Sequence, residues 1–564
     1  MCADLETRSA PEGGDGAPLA GMRARRVCPG NDGRGSYTRR VEDAARGRRL
    51  AWSTAIFSLA TGVSRIAGLV REIVASYFFG AGGRINAFTV AFQVPNLVRS
   101  LVADAAISSA FVPVFSELLE KGQRKRAWRV ASSLFWLTLL GLGGLTALFI
   151  LIAPWVMALF GNPGGSLDLT VGLSRVLFPI VALLGVSGII VGILNSYEHF
   201  SVPALTPIFW NLAIIAGLVF GVPRTDSVDA KLYIYAAAVL AGTVIQVLLP
   251  VPWLRGRDGR LQMVLDWRDP AVAQVLRLML PVALGLGLIN FNALVDTLFA
   301  SRLIDPERAP TAIDKAFRIY MLPQGMFSVA VATVLFPTLS RLATRGDVDG
   351  FRHTVGLGLR QIAFMLIPAS VVSAVLAEPI VRLLYQRGQF TGHQSVVVAQ
   401  ALVAFSAGLM FNGAMLMLNR AFFSLQSNWI PTIIALGNLG LNAAFDAVFY
   451  RLGIWGIPLS TSVVNIAGTA VLVAVLQRHV HRIELGETLR AGWLIVVASA
   501  ALAGVAFGVW YGLDALLGRS FLAQVASLGI ALAAGGATYL VSCRLLGVRE
   551  LNALLSLRIR LRGS

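Results

Sequence analysis

Apolar stretches of about 20 residues or more follow one another from residue 52 to residue 546, and each is long enough for a membrane-spanning helix. The alternative spanning architecture, a closed barrel, needs alternating strands of about 10 residues. These runs do not alternate, so the pattern predicts an all-α polytopic membrane protein. At about 20 residues per span there are about fourteen spans, near 52–79, 86–118, 128–160, 169–195, 202–222, 231–254, 274–302, 312–340, 354–385, 394–425, 429–450, 454–477, 491–515 and 520–546. Connections are short. Residues 1–50 are rich in Arg, Gly, Ala and Asp and carry no apolar period. They are expected to form a disordered basic cytoplasmic tail and, without an apolar core or small-residue cleavage site, no signal peptide.

Polar positions interrupt the pattern where they are most costly. Arg65, Arg71 and Glu72 lie inside the first span, and Arg99 and Asp104 inside the second. Arg318 lies in the eighth span, in KAFRIYMLPQG. An ionised group at the bilayer centre costs roughly 3 kcal/mol on insertion scales, so such groups face a polar interior and serve it. The seven-residue spacing puts Arg65 and Glu72 on nearly one helix face, with Arg71 on another flank. One arginine is then neutralised by Glu72 and the other left free. Asp104 is the candidate partner of Arg99. Snorkelling or structural ion pairing is a credible reading of Arg99 and Asp104. It is weaker for Arg65, Arg71 and Arg318, which outnumber the nearby acids. Forked guanidinium donors in a low-dielectric cavity suit a phosphate or diphosphate.

A second polar set lies deeper in the chain. Asp296 is in the seventh span, Asn442 and Asp446 are one turn apart in the eleventh, and Thr461 and Ser462 follow in the twelfth. Carboxylates, an amide and hydroxyls offer oxygen ligands for Na⁺, or a proton site. Helix-to-helix hydrogen bonding explains them equally well.

The chain also repeats itself. ASYF, PNLVR and FVPVFSELLEKG in the first half correspond to ASRL, LPQGMF and LFPTLSRLATRG in the second, aligning Pro95 with Pro323 and Pro113 with Pro337. Six spans separate the units, so the copies share one orientation. Two parallel halves around an axis along the membrane normal follow, with a site between them. Breaks near Pro95 and Pro323 are tolerated where they line a cavity.

Composition agrees with the pattern: 56% of residues are hydrophobic and 14% charged, and mean hydropathy is +0.70. The net charge of +18 would suit nucleic acid, but its placement is topological. Lys121, Arg124, Lys125, Arg126, Arg255, Arg257, Arg260, Arg268, Arg341, Arg345, Arg352, Arg478, Arg482, Arg490, Arg549, Arg558, Arg560 and Arg562 fall in alternate loops and the C-terminal tail, while Arg84, Arg224, Arg308 and Arg451 lie opposite. This positive-inside bias puts both termini in the cytoplasm. The three cysteines have no metal or disulfide spacing. There is no P-loop and no zinc set, so no enzyme chemistry is expected.

The string SRIAGLVREIVASYFFGAGGRINAFTVAFQVPNLVRSLVADAAISSAFVPVF, with the later RIYMLPQGMFSVAVATVLFPTLS, closely resembles the MurJ (MviN) lipid II flippases of the multidrug/oligosaccharidyl-lipid/polysaccharide exporter superfamily. The resemblance runs from about Trp52 to near the C-terminus. It implies about fourteen helices in two pseudo-symmetric six-helix lobes, residues 51–260 and 261–485, then two extra helices within 486–548 forming a groove for a polyprenyl tail, then a cytoplasmic tail, 549–564. It implies a transporter, not an enzyme, that flips lipid II from the inner to the outer leaflet of the bacterial inner membrane by alternating access. The family's cavity arginines fall on Arg65, Arg71, Arg99 and Arg318, and its first-helix acid on Glu72. Its second-helix acid falls on Asn86, a departure, since an amide cannot supply the negative charge for an ion pair or gate. Two acids flanking the eighth-helix arginine in some members are Phe317 and Met321 here. Asp296, Asn442, Asp446 and Thr461 match the Na⁺ pattern of some members. The expected partners are lipid II, membrane lipids and cell-wall synthesis machinery, with no nucleic acid. A monomer is expected, with no cofactor beyond Na⁺ or proton coupling and the membrane potential. Alternatives are a flippase for another polyprenyl-diphosphate oligosaccharide, a cation-coupled drug exporter, which calls for acids in the cavity, and a membrane scaffold, which needs no buried arginines.

Overall fold

The computed structural model describes residues 60–102, 104–197, 199–427, 429–480 and 485–551. The side chains of 102–109 and most of 281–289 lie outside that set, as do the tails expected at 1–50 and beyond 551. Among the described residues every regular element is helical. α1 covers residues 60–79. α2 (Ile85–Val102), α3 (Asp104–Glu120), α4 (Arg124–Ala158), α5 (Leu167–Leu177), α6 (Ile180–Ser196), α7 (Ser201–Ala216) and α8 (Val228–Leu248) complete the first half. The second half holds α9 (Pro270–Phe299), α10 (Ala309–Pro323), α11 (Val329–Arg345), α12 (Val348–Val375), α13 (Ala377–Tyr385), α14 (Gly392–Ser406), α15 (Leu409–Ser424), α16 (Trp429–Phe449) and α17 (Gly456–Val480). α18 (Leu485–Leu517) and α19 (Phe521–Leu545) follow.

Ten helical stretches are long and apolar enough to cross a membrane, and α14 with α15, bent by 44° at their junction, makes an eleventh. The other three stretches of the sequence count, 52–79, 86–118 and 274–302, each include residues or side chains outside the described set. Helix starts are written in the connections. Ser166, Ser227, Asp269, Asp347 and Ser520 each accept a hydrogen bond from a first-turn backbone N–H, and Thr391 with Gln394 forms a reciprocal capping box. Each cap satisfies a donor left over at a helix start, worth about 1 kcal/mol.

The two repeat units carry matching prolines inside helices, Pro113 in α3 and Pro337 in α11. In the second unit α10 ends at Pro323, and one π-helical turn (Gln324–Ser328) leads into α11. Pro323 marks the break as expected. Pro95 does not: α2 runs through it to Val102. The span expected at 354–385 is likewise two helices, because the chain turns at Leu376 between α12 and α13.

The extra pair packs on the second half. Tyr539 of α19 donates to the Phe364 carbonyl of α12 at 2.7 Å. A buried arginine ties each end of the pair: Arg360 Nε to Glu550 at 3.1 Å, and Arg382 to Asp514 at 3.5 Å.

Candidate functional site

The charged positions of the two repeats meet. Glu72 of α1 lies at the focus: Arg71 Nη2 is 2.6 Å from its Oε1, Arg318 Nη1 of α10 is 3.3 Å from the same oxygen, and Lys315 Nζ is 3.9 Å from Oε2. Arg318 also pairs with Asp314, one turn back on its own helix, at 2.8 Å. Lys315 donates to Ser76 Oγ at 2.6 Å, and Ser76 donates to the Glu72 carbonyl at 2.6 Å. The Arg71 guanidinium lies over the Trp210 ring, and Lys315 Nζ over the Tyr385 ring at 5.0 Å. Three cations thus share two carboxylates, leaving one positive charge in excess. A lone buried charge is prohibitively costly, and the pairing explains how each is tolerated. Arg71 Nε remains buried without an acceptor among the described residues.

A pocket opens beside this cluster, lined by Glu72, Thr89, Gln93, Asp314, Lys315 and Arg318 among others. Arg65 lies outside its lining. Its guanidinium reaches the π-turn after α10, where a Cβ on Gly325 would lie 3.1 Å from Arg65 Nη1. Arg99 is elsewhere: its Nη2 donates to Asn96 Oδ1 at 2.8 Å, and Asn96 donates to Asn290 of α9 at 3.3 Å. The side chain of Asp104, the partner expected for Arg99, lies outside the described residues.

One sequence expectation changes here. Arg71 and Arg318 have acids after all, because Glu72 is reached across the halves and Asp314 sits at i−4. Of the two arginines of α1, it is Arg71 that pairs with Glu72, a choice the spacing alone left open. Asp314 and Lys315 were missed; the i,i+4 spacing of Asp314 and Arg318 was the available signal.

Asn86 is fully buried at one end of the site and joins the halves without charge. Its Nδ2 donates to the Glu307 carbonyl at 2.5 Å and the Gly83 carbonyl at 3.0 Å, while its Oδ1 accepts from Thr311 N at 2.8 Å. Around it, Gly83 N donates to Glu307 O at 2.6 Å, Gly164 N to Pro306 O at 2.9 Å, Gln389 N to Tyr77 O at 2.9 Å and Ala81 N to Gln394 Oε1 at 3.0 Å. Thr89 and Thr311 share a hydroxyl hydrogen bond of 2.8 Å. The backbones approach so closely that Gly80 and Gly388, both at positive φ, leave no room for a side chain; a Cβ on Gly80 would lie 2.8 Å from the Gln389 carbonyl. A carboxylate at 86 would face two carbonyl oxygens, so only an amide supplies both donor and acceptor here.

The second polar set also assembles. Asn442 Nδ2 donates to Asp296 Oδ1 at 2.6 Å and to Asp446 Oδ2 at 3.2 Å, and Asn292 donates to Asp296 Oδ2 at 3.3 Å. Ser460 donates to Asn442 Oδ1 at 3.3 Å. Thr461 does not join: its hydroxyl returns to the Ile457 carbonyl of its own helix at 3.3 Å. Ser460, one residue earlier and about 100° round the helix, takes the place expected of it. Asp446 is fully buried, and its Oδ1 has no hydrogen-bond donor among the described residues. Two carboxylates with an orphaned oxygen suit a monovalent cation or a proton; Asp296, Asn442, Asp446 and Ser460 would hold it. No set of three or more His, Cys, Asp or Glu side chains with metal-binding geometry occurs among the described residues.

Comparison with known proteins agrees with this architecture. A solved structure titled lipid II flippase MurJ, inward closed conformation, superposes with a TM-score of 0.71 at 24% identity, over 87% of this chain and 98% of that one. An inward-facing MATE-family multidrug transporter of the MOP superfamily superposes at 0.61 with 17% identity, over 75% of this chain and 94% of its own. These likenesses establish the fold. The probable lipid II flippase MurJ of Vibrio cholerae is 31% identical over 89% of this chain and 97% of that protein. The lipid II flippase MurJ of Burkholderia cenocepacia is 30% identical over 72% and 79%. The family model for lipid II flippase MurJ matches residues 75–541, a stretch that contains Arg99, Arg318 and the whole second polar set, and so the chain belongs to the MurJ lipid II flippase family.

Proposed function

We propose that this chain flips lipid II, the lipid-linked peptidoglycan precursor, from the inner to the outer leaflet of the bacterial cytoplasmic membrane, without catalysing a covalent reaction. The observation that carries the reading is the convergence of Arg71, Lys315 and Arg318 from both halves on one carboxylate. A diphosphate brings more negative charge than Glu72, and Arg71 Nε is a buried donor still without an acceptor. Arg65, Arg71 and Arg318 bind the diphosphate, with Arg99 further along α2 and the polyprenyl tail lying along α18 and α19. Because Glu72 holds both halves through these cations, an incoming anion changes the contacts between them. The transport cycle rocks residues 51–260 against residues 261–485, opening the end clasped around Asn86.

Binding must differ between the two facing states, since a ligand held equally in both shifts nothing. The membrane potential biases the empty cavity through its excess positive charge, at about 2.3 kcal/mol per charge per 100 mV. Na⁺ or a proton at Asp296, Asn442 and Asp446 compensates charge in the second half. The protein acts as a monomer, with both termini in the cytoplasm, and hands its cargo to the cell-wall synthesis machinery.

The test is depletion of a cell's own lipid II flippase with this chain supplied in trans. Rescue by wild type, and loss of rescue with Arg65→Ala, Arg71→Ala or Arg318→Ala, is expected. Rescue by all three variants overturns the reading of the cavity, and failure of the wild type to rescue overturns lipid II as cargo.

A further inference from the structure

The Glu72 pocket has two cations in its lining, and they differ in depth. Arg318 stands at the mouth, its side chain 37% exposed, and is occupied by two acids, Glu72 and Asp314. Lys315 lies at the floor, its side chain 5% exposed. An ammonium has three donors, and among the described residues Ser76 is the one hydrogen-bond acceptor of Lys315. Its carboxylate neighbour, Glu72 Oε2 at 3.9 Å, is beyond hydrogen-bond range, and the Tyr385 ring beneath it offers attraction without a lone pair. Thr89, Gln93 and Thr311 add neutral polar groups to the same wall. Arg71 and Lys315 would therefore be the first groups to gain from an anion with more oxygens than a carboxylate.

We infer that Lys315 is a substrate-binding residue of this chain, holding the second phosphate of a lipid diphosphate at the pocket floor while Arg318 holds the first at its mouth. The inference rests on the flippase reading and refines it. No covalent bond changes: the ammonium exchanges Ser76 Oγ for a phosphate oxygen, and Ser76 keeps its own bond to the Glu72 carbonyl.

The test measures binding of undecaprenyl diphosphate and undecaprenyl monophosphate to the full-length chain in nanodiscs. Lys315→Met keeps the apolar stem and removes the charge. It should weaken diphosphate binding by about 10- to 100-fold, the range of a lost charge-assisted hydrogen bond, and weaken monophosphate binding much less, so the preference for diphosphate collapses. Lys315→Arg should restore the preference. Ser76→Ala frees the ammonium from its resting acceptor and should tighten diphosphate binding by about threefold; it remains informative if Lys315→Met fails to fold. Equal loss of both probes in Lys315→Met, or no loss of either, overturns the assignment while an effect of Arg318→Ala leaves the flippase reading standing. Wild-type protein that binds neither probe overturns both.

Discussion

The molecule buries two polar clusters of opposite sign, and their placement differs as much as their charge. Around Glu72 the cations outnumber the acids, and the partners come from both halves: α1 supplies Arg71 and Glu72, α10 supplies Asp314, Lys315 and Arg318. Around Asn442 the carboxylates outnumber the cations, and α9, α16 and α17, all of the second half, supply Asp296, Asn442, Asp446 and Ser460. A ligand entering the first cluster rewrites contacts between halves. One entering the second acts on side chains of α9, α16 and α17, although α9 itself also packs against α2 and α3. On the proposed flippase reading, the first would drive motion and the second would tune the body that moves.

The comparison breaks first, and most severely, at Arg318. Arg318→Ala takes from Asp314 its ion-pair partner and from Glu72 one of three cations; with Arg318 partly exposed the cost in stability is only about 1 kcal/mol, yet rescue of a flippase-depleted strain should fall to background plating. If Arg318→Ala rescues as wild type does, the first cluster does not drive transport. The next largest effect is at Asp446. In detergent, Na⁺ in place of choline should raise the melting temperature of wild type, by linkage of about 2.7 kcal/mol at a hundredfold excess over Kd, and Asp446→Asn should abolish the difference without altering diphosphate binding. Loss of both properties would erase the distinction drawn between the clusters. Asn86→Asp comes third. At neutral pH its carboxylate faces carbonyls, at a cost of about 1–3 kcal/mol; acidification protonates it and restores a donor. Distance measurements between spin labels flanking 86 and 307 should therefore broaden at high pH and sharpen at low pH, whereas wild type stays unchanged. The smallest effect separates neighbours: Ser460→Ala should weaken the Na⁺ response about two- to tenfold, and Thr461→Ala should leave it intact.

What the sequence disclosed follows from how far apart the partners lie. Asn442 and Asp446 are one turn apart, so their shared face was plain, and the charged spans announced themselves by cost. The link from Glu72 to Arg318 crosses 246 positions, the difference of their two numbers, and no local period carries it; only the repeat pointed to a shared axis. Lys315 was overlooked because, close to the start of an apolar span, a lysine ordinarily reaches for the interface. Its ammonium instead lies inward, over the Tyr385 ring. Ser460 against Thr461 was a choice of helix rotation, set by tertiary packing rather than by hydroxyl chemistry. The helical class was legible from apolar run length alone, while interruptions such as Leu376 and the bend between α14 and α15 were not, since the hydrophobicity continues across them.

The clasp around Asn86 has a kinetic meaning. Its cross-half bonds, from Ala81, Gly83, Asn86, Thr89 and Gly164 on one side to Pro306, Glu307, Thr311 and Gln394 on the other, all join neutral groups. Water can replace every one of them at a net cost of about 1 kcal/mol each. A seal of this kind resists leakage as a set, yet it can be undone bond by bond, each loss repaid by hydration before the next. Ionic strength, which screens exposed ion pairs, has little hold on it, so the rate at which this end opens should be nearly the same in dilute and in salty surroundings.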